Sequence, residues 1–192
     1  MPDLTESFNK IEEIIKKPSF RSNSGRANEV NYWVFDYHPE KELEVRAFIE
    51  RQQAKHYKSI YGFNLVVFDL YDIIIEFLKS KNYLNKCFEF EAQTGFNHLI
   101  TAIANAMKFN NDDSYIINYI INNTPENSVV FLTGIGKCYP VLRSHKVLNN
   151  LHQKFLTAPV ILFFPGTYNE QELILFNEIK DDNYYRAFKL IR

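Results

Sequence analysis

The segment Ser128–His145 constrains the fold of this chain more than any other. It begins with Val129–Leu132, a continuous apolar run that is short enough to be a strand buried on both faces. Two glycines follow, and a helix is predicted from about Tyr139, with Pro140 accommodated in its first turn. A strand, a glycine turn and a helix in this order are typical of α/β proteins, in which such a turn borders a ligand crevice.

Four other segments are predicted strands because they are short, apolar and bounded by turn residues. Helical periodicity predicts helices between them. This alternation predicts an α/β fold with a mostly parallel sheet of about five strands and helices on both faces, the layering of P-loop and Rossmann proteins without a Walker A motif. The four further strands are predicted at Asn31–Phe35, Leu65–Phe68, Pro159–Phe164 and Arg186–Ile191.

Apolar stripes indicate which helical residues face the core. The helix that starts at Pro39 is predicted to bury Leu43, Ala47 and Phe48. Tyr83–Thr94 lacks a clear stripe and is predicted to be a loop. The other stripes are Leu4, Phe8, Ile11, Ile14 and Ile15; Ile73, Ile74, Phe77 and Leu78; Phe96, Leu99, Ile100, Ile103 and Met107; and Tyr115, Ile116, Tyr119 and Ile120. A short helix is predicted around Gln171–Phe176, after a fourth strand that Pro165 and Gly166 are expected to end.

The length of 192 residues predicts one domain, 1–192. Residues 1–20 hold an N-terminal helix, which Pro18 is expected to end. About 60 residues separate the second and third strands, more than one crossover helix needs. We interpret residues 71–123 as a helical insert that forms either a cap or a partner-binding face.

The composition excludes several classes of protein. A net charge of −1 gives no basic field for nucleic acid or an anionic membrane. No apolar run approaches the length of a membrane span, and the start lacks the pattern of a signal peptide. Two cysteines, 51 positions apart, form no disulfide framework, so a cytoplasmic location is expected. The 17 Phe and 12 Tyr suggest a thickly packed interior and aromatic surface for a partner.

The glycine turn is also a candidate anion site. Gly134 and Gly136 precede a predicted helix, whose N-terminal N–H groups favour an anion. Lys137, Arg143 and His145 are the cationic candidates beside it. The alternative is purely structural, with two glycines making a tight exit from a buried strand.

The turn does not match a nucleotide-binding motif. The phosphate-loop pattern needs a glycine five positions before the Gly-Lys pair and a hydroxyl side chain directly after the lysine. Here those positions hold Phe131 and Cys138. The dinucleotide fingerprint also fails, since its third glycine would be Tyr139. Nucleotide hydrolysis is therefore not expected, although a degenerate nucleotide- or phosphate-binding regulatory domain stays open.

Two other groups of residues suggest catalysis. Asp36 and Asp69 follow predicted strands, where paired carboxylates could hold the metal of a nuclease or act as acid and base. Aspartate is also the ordinary cap of the turns and helices that follow strands, and we favour this interpretation for both residues. Cys138 and His145 could form a nucleophile and its base, but no third group is identifiable. The histidines lack zinc-site spacing, so no metal or cofactor is expected.

Several strings, in order and at their spacings, resemble the BrxB family, a small component of BREX bacteriophage-exclusion systems. The resemblance covers nearly the whole chain, from the first helix to the last strand. The strings are Asn28-Glu29, Phe35–Glu40, Leu132–Gly136, Tyr139-Pro140, Arg143–His145, Leu148–Leu151, Pro165–Tyr168 and Asn183–Phe188.

This resemblance implies a cytoplasmic accessory protein without established catalytic activity. Such systems join a DNA methyltransferase, a large ATPase and a PglZ protein of the alkaline-phosphatase superfamily. The resemblance therefore implies an adaptor whose partner is PglZ, with other BREX components as further partners. It supplies no catalytic residue. The candidate partner surfaces are the exposed side of the first helix and the insert 71–123.

Overall fold

The computed structural model describes residues 4–22, 31–109, 113–181 and 187–191. Five strands pair in parallel, in the spatial order β2-β3-β4-β1-β7. The predicted α/β architecture with a mostly parallel sheet is confirmed. The strands are β1 Tyr32–Tyr37, β2 Asn64–Asp69, β3 Ser128–Thr133, β4 Val160–Tyr168 and β7 Phe188–Lys189.

Two short strands extend the sheet beyond the end of β4. β5 (Leu173–Leu175) pairs antiparallel with β4, and β6 (Ile179–Lys180) pairs antiparallel with β5. The predicted helix at Gln171–Phe176 is wrong, because alternate residues of β5 are buried, which is the period of a strand. The predicted stop at Pro165 and Gly166 is also wrong, because β4 continues to Tyr168.

Helices cover both faces of this sheet, as predicted. Within the described ranges, none combines the length and apolar character that crossing a bilayer requires. The helices are α1 Leu4–Lys16, α2 Pro18–Ser22, α3 Glu42–Gln53 after a 3-10 turn at Pro39–Lys41, α4 Tyr57–Tyr61, α5 Leu70–Ser80, α6 Leu84–Thr94, α7 Phe96–Ala106, α8 Tyr115–Asn122, α9 Ile135–Cys138 and α10 Ser144–Lys154.

One face of the sheet is covered by α1, α3 and α4. The predicted stripe of α1 is confirmed at Phe8, Ile11 and Ile15, which are buried. The prediction for α3 is partly wrong, because Leu43 is 75% exposed. The buried residues of α3 are Val45, Phe48, Ile49 and Gln52, at the three- and four-residue intervals of one helical face.

The opposite face is covered by α5, α8 and α10. The predicted stripe of α5, from Ile73 to Leu78, is buried against the sheet. All six residues of β3 are buried, as predicted for a strand covered on both faces. Its side chains alternate between the two layers, with Phe131 facing α1 and α3 and Leu132 facing α5 and α10.

The helix predicted from Tyr139 begins elsewhere. α9 occupies the four residues after Gly134 and ends before Tyr139, whose φ of −67° and ψ of 137° are extended. Sterics disfavour a helical conformation in the residue before a proline, and Pro140 follows. The next helix, α10, begins only at Ser144.

The insert between β2 and β3 contains α5, α6, α7 and α8. Tyr83–Thr94, predicted to be a loop, instead contains helix α6. α6 and α7 form a hairpin joined at Gly95, and Ile103 is the one buried residue within the two helices. The stripe predicted for α7 is confirmed at Ile103 and Met107, which are buried, and is wrong at Phe96, which is 52% accessible.

Some predicted features lie outside the described residues. These are Arg186, the predicted start of the last strand, the string Asn28-Glu29, and residues 183–186 of another string. The described part of the last strand pairs with β1 through Phe188 and Lys189.

Candidate functional site

The turn after β3 is shaped by contact with Asp69. Gly134 has a φ of +76°, in the left-handed region that disfavours other residues. A Cβ at this position would collide with the carboxylate of Asp69. Both the backbone conformation and the lack of space therefore require glycine here. Gly136 is also packed, against Pro165 and the ring of Phe176.

Asp69 caps α5 and binds the lysine of the turn. Its Oδ1 accepts hydrogen bonds from the N–H groups of Tyr71, at 3.0 Å, and Asp72, at 3.3 Å. Its Oδ2 lies 2.6 Å from the Nζ of Lys137, which also lies over the ring of Tyr71. The capping interpretation of Asp69 is confirmed, and Lys137 already has a carboxylate as its counter-ion.

The other two cationic candidates surround a different carboxylate, Asp181. His145 Nδ1 lies 2.6 Å from Asp181 Oδ1, and the His145 N–H donates to Oδ2 at 3.2 Å. Arg143 lies 3.7 Å from the same carboxylate. Burial opposes ionisation of Asp181, but the hydrogen bonds from His145 outweigh it and lower the pKa of Asp181. The ionised carboxylate accepts a hydrogen bond from the Nδ1–H group and holds the buried imidazole in one orientation.

The five candidate anion-site residues are therefore not one cradle. Gly134 and Lys137 contact Asp69, Arg143 and His145 contact Asp181, and Gly136 packs against side chains. Asp181 lies 36 residues from His145 in the sequence, and local spacing gave no sign of this pair. The sequence offered one indication of this pair, which is that a buried histidine needs a hydrogen-bond partner.

Asp36 has a structural role at the end of β1. Its Oδ2 accepts a hydrogen bond from the Tyr168 N–H at 3.1 Å and pairs with Lys189 Nζ at 2.8 Å. Two strands, β3 and β4, separate β1 from β2, so Asp36 and Asp69 are about 14 Å apart at the usual strand spacing. Two carboxylates at that separation cannot ligate one metal ion, and the metal-nuclease interpretation of this pair is wrong.

Cys138 is the last residue of α9, and its side chain is buried in the core. Burial raises the pKa of its thiol to about 12, with a smaller contribution from the Asp69 charge. The thiolate, which is the nucleophilic form, is therefore strongly disfavoured at neutral pH. Its proposed base, His145, hydrogen-bonds to Asp181.

A polar cleft of about 460 Å³ opens where β1, β2 and β3 end. α3 forms one wall, α5 and α8 form the other, and β2 lies between them. Five carboxylates and two cationic side chains line it, so its field is negative. A negative field opposes a phosphate ligand. The charged residues are Glu42, Glu50, Asp69, Asp72, Glu76, Arg46 and Lys137.

Inside this cleft, Glu42 joins α3 to the end of β1. Its Oε2 accepts a hydrogen bond from the hydroxyl of Tyr37 at 2.6 Å, and its Oε1 pairs with Arg46 at 2.8 Å. Burial and the bond to the carboxylate raise the pKa of Tyr37. The phenol therefore stays protonated and acts as a hydrogen-bond donor.

A second, apolar groove of about 520 Å³ runs between α6 and α7. Leu78, Cys87, Leu99 and Ile103 contribute to its lining. Four large aromatic side chains of this region are exposed, and we call them the hairpin patch. The hairpin patch comprises Tyr83, Phe88, Phe90 and Phe96, which are 39%, 64%, 38% and 52% exposed. Sequence reasoning missed α6, although three phenylalanines within nine residues, 88–96, were a signal of a contact surface.

Comparisons of the whole sequence with known proteins point to the same family. The family model described as "BREX protein BrxB" matches residues 66–190. A BREX protein BrxB from Bacillus cereus (strain H3081.97) is 41% identical over 191 residues, covering 100% of this chain and 99% of the relative. A BREX protein BrxB from Escherichia coli O9:H4 (strain HS) is 27% identical over 190 residues, covering 99% of this chain and 92% of the relative.

No solved structure matches the chain at a significant level. The family model begins within β2 and ends just after the last strand, so it includes the hairpin, the glycine turn and the Asp181 pair. Together with the relative that matches over its full length, it identifies the chain as a member of the BrxB family of BREX phage-defence systems.

Proposed function

We propose that this chain is a non-catalytic, cytoplasmic adaptor of a BREX system, and that it binds the PglZ component through the hairpin patch. Membership of the BrxB family supports a role among other BREX proteins. The choice of PglZ rests on the family resemblance found in the sequence. The observation that carries the surface assignment is the exposure of the hairpin patch on α6 and α7.

The hairpin patch has the chemistry of a protein-binding surface. Aromatic side chains are enriched among the residues that dominate binding energy, because each buries a large area with few rotatable bonds. Phe88 and Phe90 lie on a helix with no buried residue, so packing of the fold does not explain them. A groove of about 520 Å³ beside them can accept apolar side chains from the partner.

A non-catalytic role is supported by the contacts of the candidate catalytic groups. Asp36, Asp69 and His145 are each held by charged partners within the chain. Cys138 is buried with a strongly raised pKa. Each of these groups therefore has a structural explanation that needs no substrate.

The test is co-expression with the PglZ protein of the same defence system, followed by size-exclusion chromatography and a titration. We expect co-elution at micromolar concentration. The double variant Phe88→Ser/Phe90→Ser should bind about 30-fold more weakly or worse, because loss of a binding hot spot costs about 2 kcal/mol or more. Leu156→Ser, which alters another side chain that is 50% exposed, is the matched control and should bind normally.

Two results would contradict the proposal in different ways. Separate elution of the two native proteins at about 10 micromolar would reject PglZ as the partner. Native affinity in a correctly folded Phe88→Ser/Phe90→Ser variant would reject the hairpin patch as the binding surface. Circular dichroism of each variant confirms that the fold is retained.

A further inference from the structure

The outer edge of β2 offers backbone groups that no strand of the described residues pairs with. β2 pairs with β3 on one side, and among the described residues no strand lies on its other side. The Asn64 N–H donates to Asn127 across the β2–β3 pair. Successive residues of a strand direct these groups to opposite sides, so the N–H and C=O of Leu65 and Val67 point outward.

This edge lacks the features that usually protect an edge strand. Proteins protect such strands with lysine, proline, bulges or a very short length. β2 has six residues, Asn-Leu-Val-Val-Phe-Asp, with neither lysine nor proline. The strand at the other end of the path, β7, is two residues long and includes Lys189. The two ends of the sheet therefore differ, and the β2 end can accept another strand.

The polar cleft lies along the same edge. α3 covers one face of the sheet beside β2, while α5 and α8 cover the other, and Val67 lies between these walls. A chain that paired with β2 would therefore have a wall on each side. Its alternate side chains would point toward α3 and toward α5.

The walls of the cleft carry unbalanced negative charge. Glu42 pairs with Arg46, and Asp69 pairs with Lys137. The remaining carboxylates, one on α3 and two on α5, have no ion-pair partner among the residues that the structure describes. They are Glu50, Asp72 and Glu76. Basic side chains on an added strand would supply the missing charge on both sides.

We infer that the outer edge of β2 accepts an extended, basic segment of a partner protein as an additional parallel or antiparallel strand. Main-chain hydrogen bonds to Leu65 and Val67 provide attachment that is independent of sequence. The carboxylates of α3 and α5 select for lysine and arginine. This site is separate from the hairpin patch and goes beyond the proposed binding of PglZ.

The probe is a fluorescein-labelled eight-residue Lys-Val peptide with the repeat Lys-Lys-Val-Val, which directs lysines toward both walls, and the control is the same peptide with Glu in place of Lys. We expect the Lys-Val peptide to bind the native chain in fluorescence anisotropy and the Glu-Val peptide not to bind. In hydrogen exchange, the bound peptide should slow the Leu65 and Val67 amides at least 10-fold. Equal binding of both peptides, or no binding of the Lys-Val peptide at 1 mM, would overturn the inference.

Val67→Pro tests the backbone contact, because it removes one outward N–H and leaves the bonds between β2 and β3 in place. It should weaken binding at least 10-fold relative to Val67→Ala, which also loses the side chain but keeps the N–H. If Val67→Pro does not fold, the exchange measurement on the native chain decides whether the peptide pairs with β2. Binding without slower exchange at Leu65 and Val67 would refute edge pairing. The peptide should bind the Phe88→Ser/Phe90→Ser variant normally, so this inference and the PglZ proposal can fail separately.

Discussion

The layer formed by α1 and α3 and the hairpin formed by α6 and α7 use aromatic side chains in opposite ways. Phe8 and Phe48 stack with ring centroids 4.2 Å apart, and both are buried. Phe88 and Phe96 are more than half exposed. Aromatic content alone therefore does not distinguish a core helix from a contact helix. In the α1–α3 layer the rings stabilise the fold, and on the hairpin they are available to a partner.

The largest expected effect contrasts a core ring with a hairpin ring. Phe131 is fully buried and packs against Phe163, with ring centroids 4.9 Å apart. Phe131→Ala should lower the free energy of unfolding by about 3 to 5 kcal/mol, because it leaves a cavity. Phe88→Ala should lower it by less than about 0.5 kcal/mol. Urea denaturation measures both, and similar losses would show that the hairpin packs as tightly as the core.

The turn after β3 should show the next largest effect. Gly134→Ala places a methyl group in a left-handed conformation and against the carboxylate of Asp69. We expect a loss of about 2 kcal/mol or more, since the conformation alone costs about 1 to 2 kcal/mol. Gly62→Ala, after α4, is the matched control, because Gly62 has the same left-handed conformation, with a φ of 74° and a ψ of 15°, but open space around its Cβ. Equal losses would mean that Asp69 moves aside freely.

A smaller effect is expected at Glu12 of α1, whose ion pairs with Lys16 and Lys55 make stability depend on pH. Burial opposes ionisation of Glu12, but bonds to Lys16 and Lys55 lower its pKa from 4.5 to about 2. A lowered pKa in the folded state stabilises the fold above about pH 4.5, and this stabilisation disappears as the pH falls toward 2. Glu12→Gln should remove about 1 kcal/mol at pH 7, after allowance for solvent screening, and almost nothing near pH 2.

The measurement for Glu12 is the free energy of unfolding of both forms between pH 2 and pH 7. Glu13→Gln, on the exposed side of the same helix, is the control and should barely change the free energy of unfolding. A constant difference across this range for Glu12→Gln would contradict the assigned pKa.

The smallest effect is expected from anions. The cationic candidates near the glycine turn are paired with Asp69 and Asp181, and the nearby cleft is negative. Nucleotides and inorganic phosphate at 1 mM should therefore shift the melting temperature by less than about 1 °C. A larger shift would support the alternative of a degenerate nucleotide- or phosphate-binding domain.

The parts of the fold that were predictable are those where burial leaves a periodic pattern. β3 is buried on both faces and reads as a continuous apolar run, and the stripes of α1 and α5 follow the period of a helix. α6 was not predicted because it buries no residue, and its sequence therefore shows no apolar stripe. The order of the strands was not predictable, because pairing between distant segments leaves no local signal.

The candidate site was less predictable than the fold for the same reason. Both Asp36 and Asp69 were placed correctly at the ends of strands. Their partners, Lys189 and Lys137, lie 153 and 68 residues away in the sequence. Sequence spacing identified charged residues near the turn but could not show that carboxylates of the chain itself neutralise them.

The position of β1 has a consequence for the synthesis of this protein. Tyr32 pairs with Val160, and Trp33 pairs with Phe188 on the other side. β1 therefore emerges from the ribosome long before either strand partner exists. At 5 to 20 residues per second, the 128 residues from Tyr32 to Val160 take roughly 6 to 26 seconds. During that time an apolar strand is unpaired, so the nascent chain needs protection from aggregation until the middle of the sheet can close.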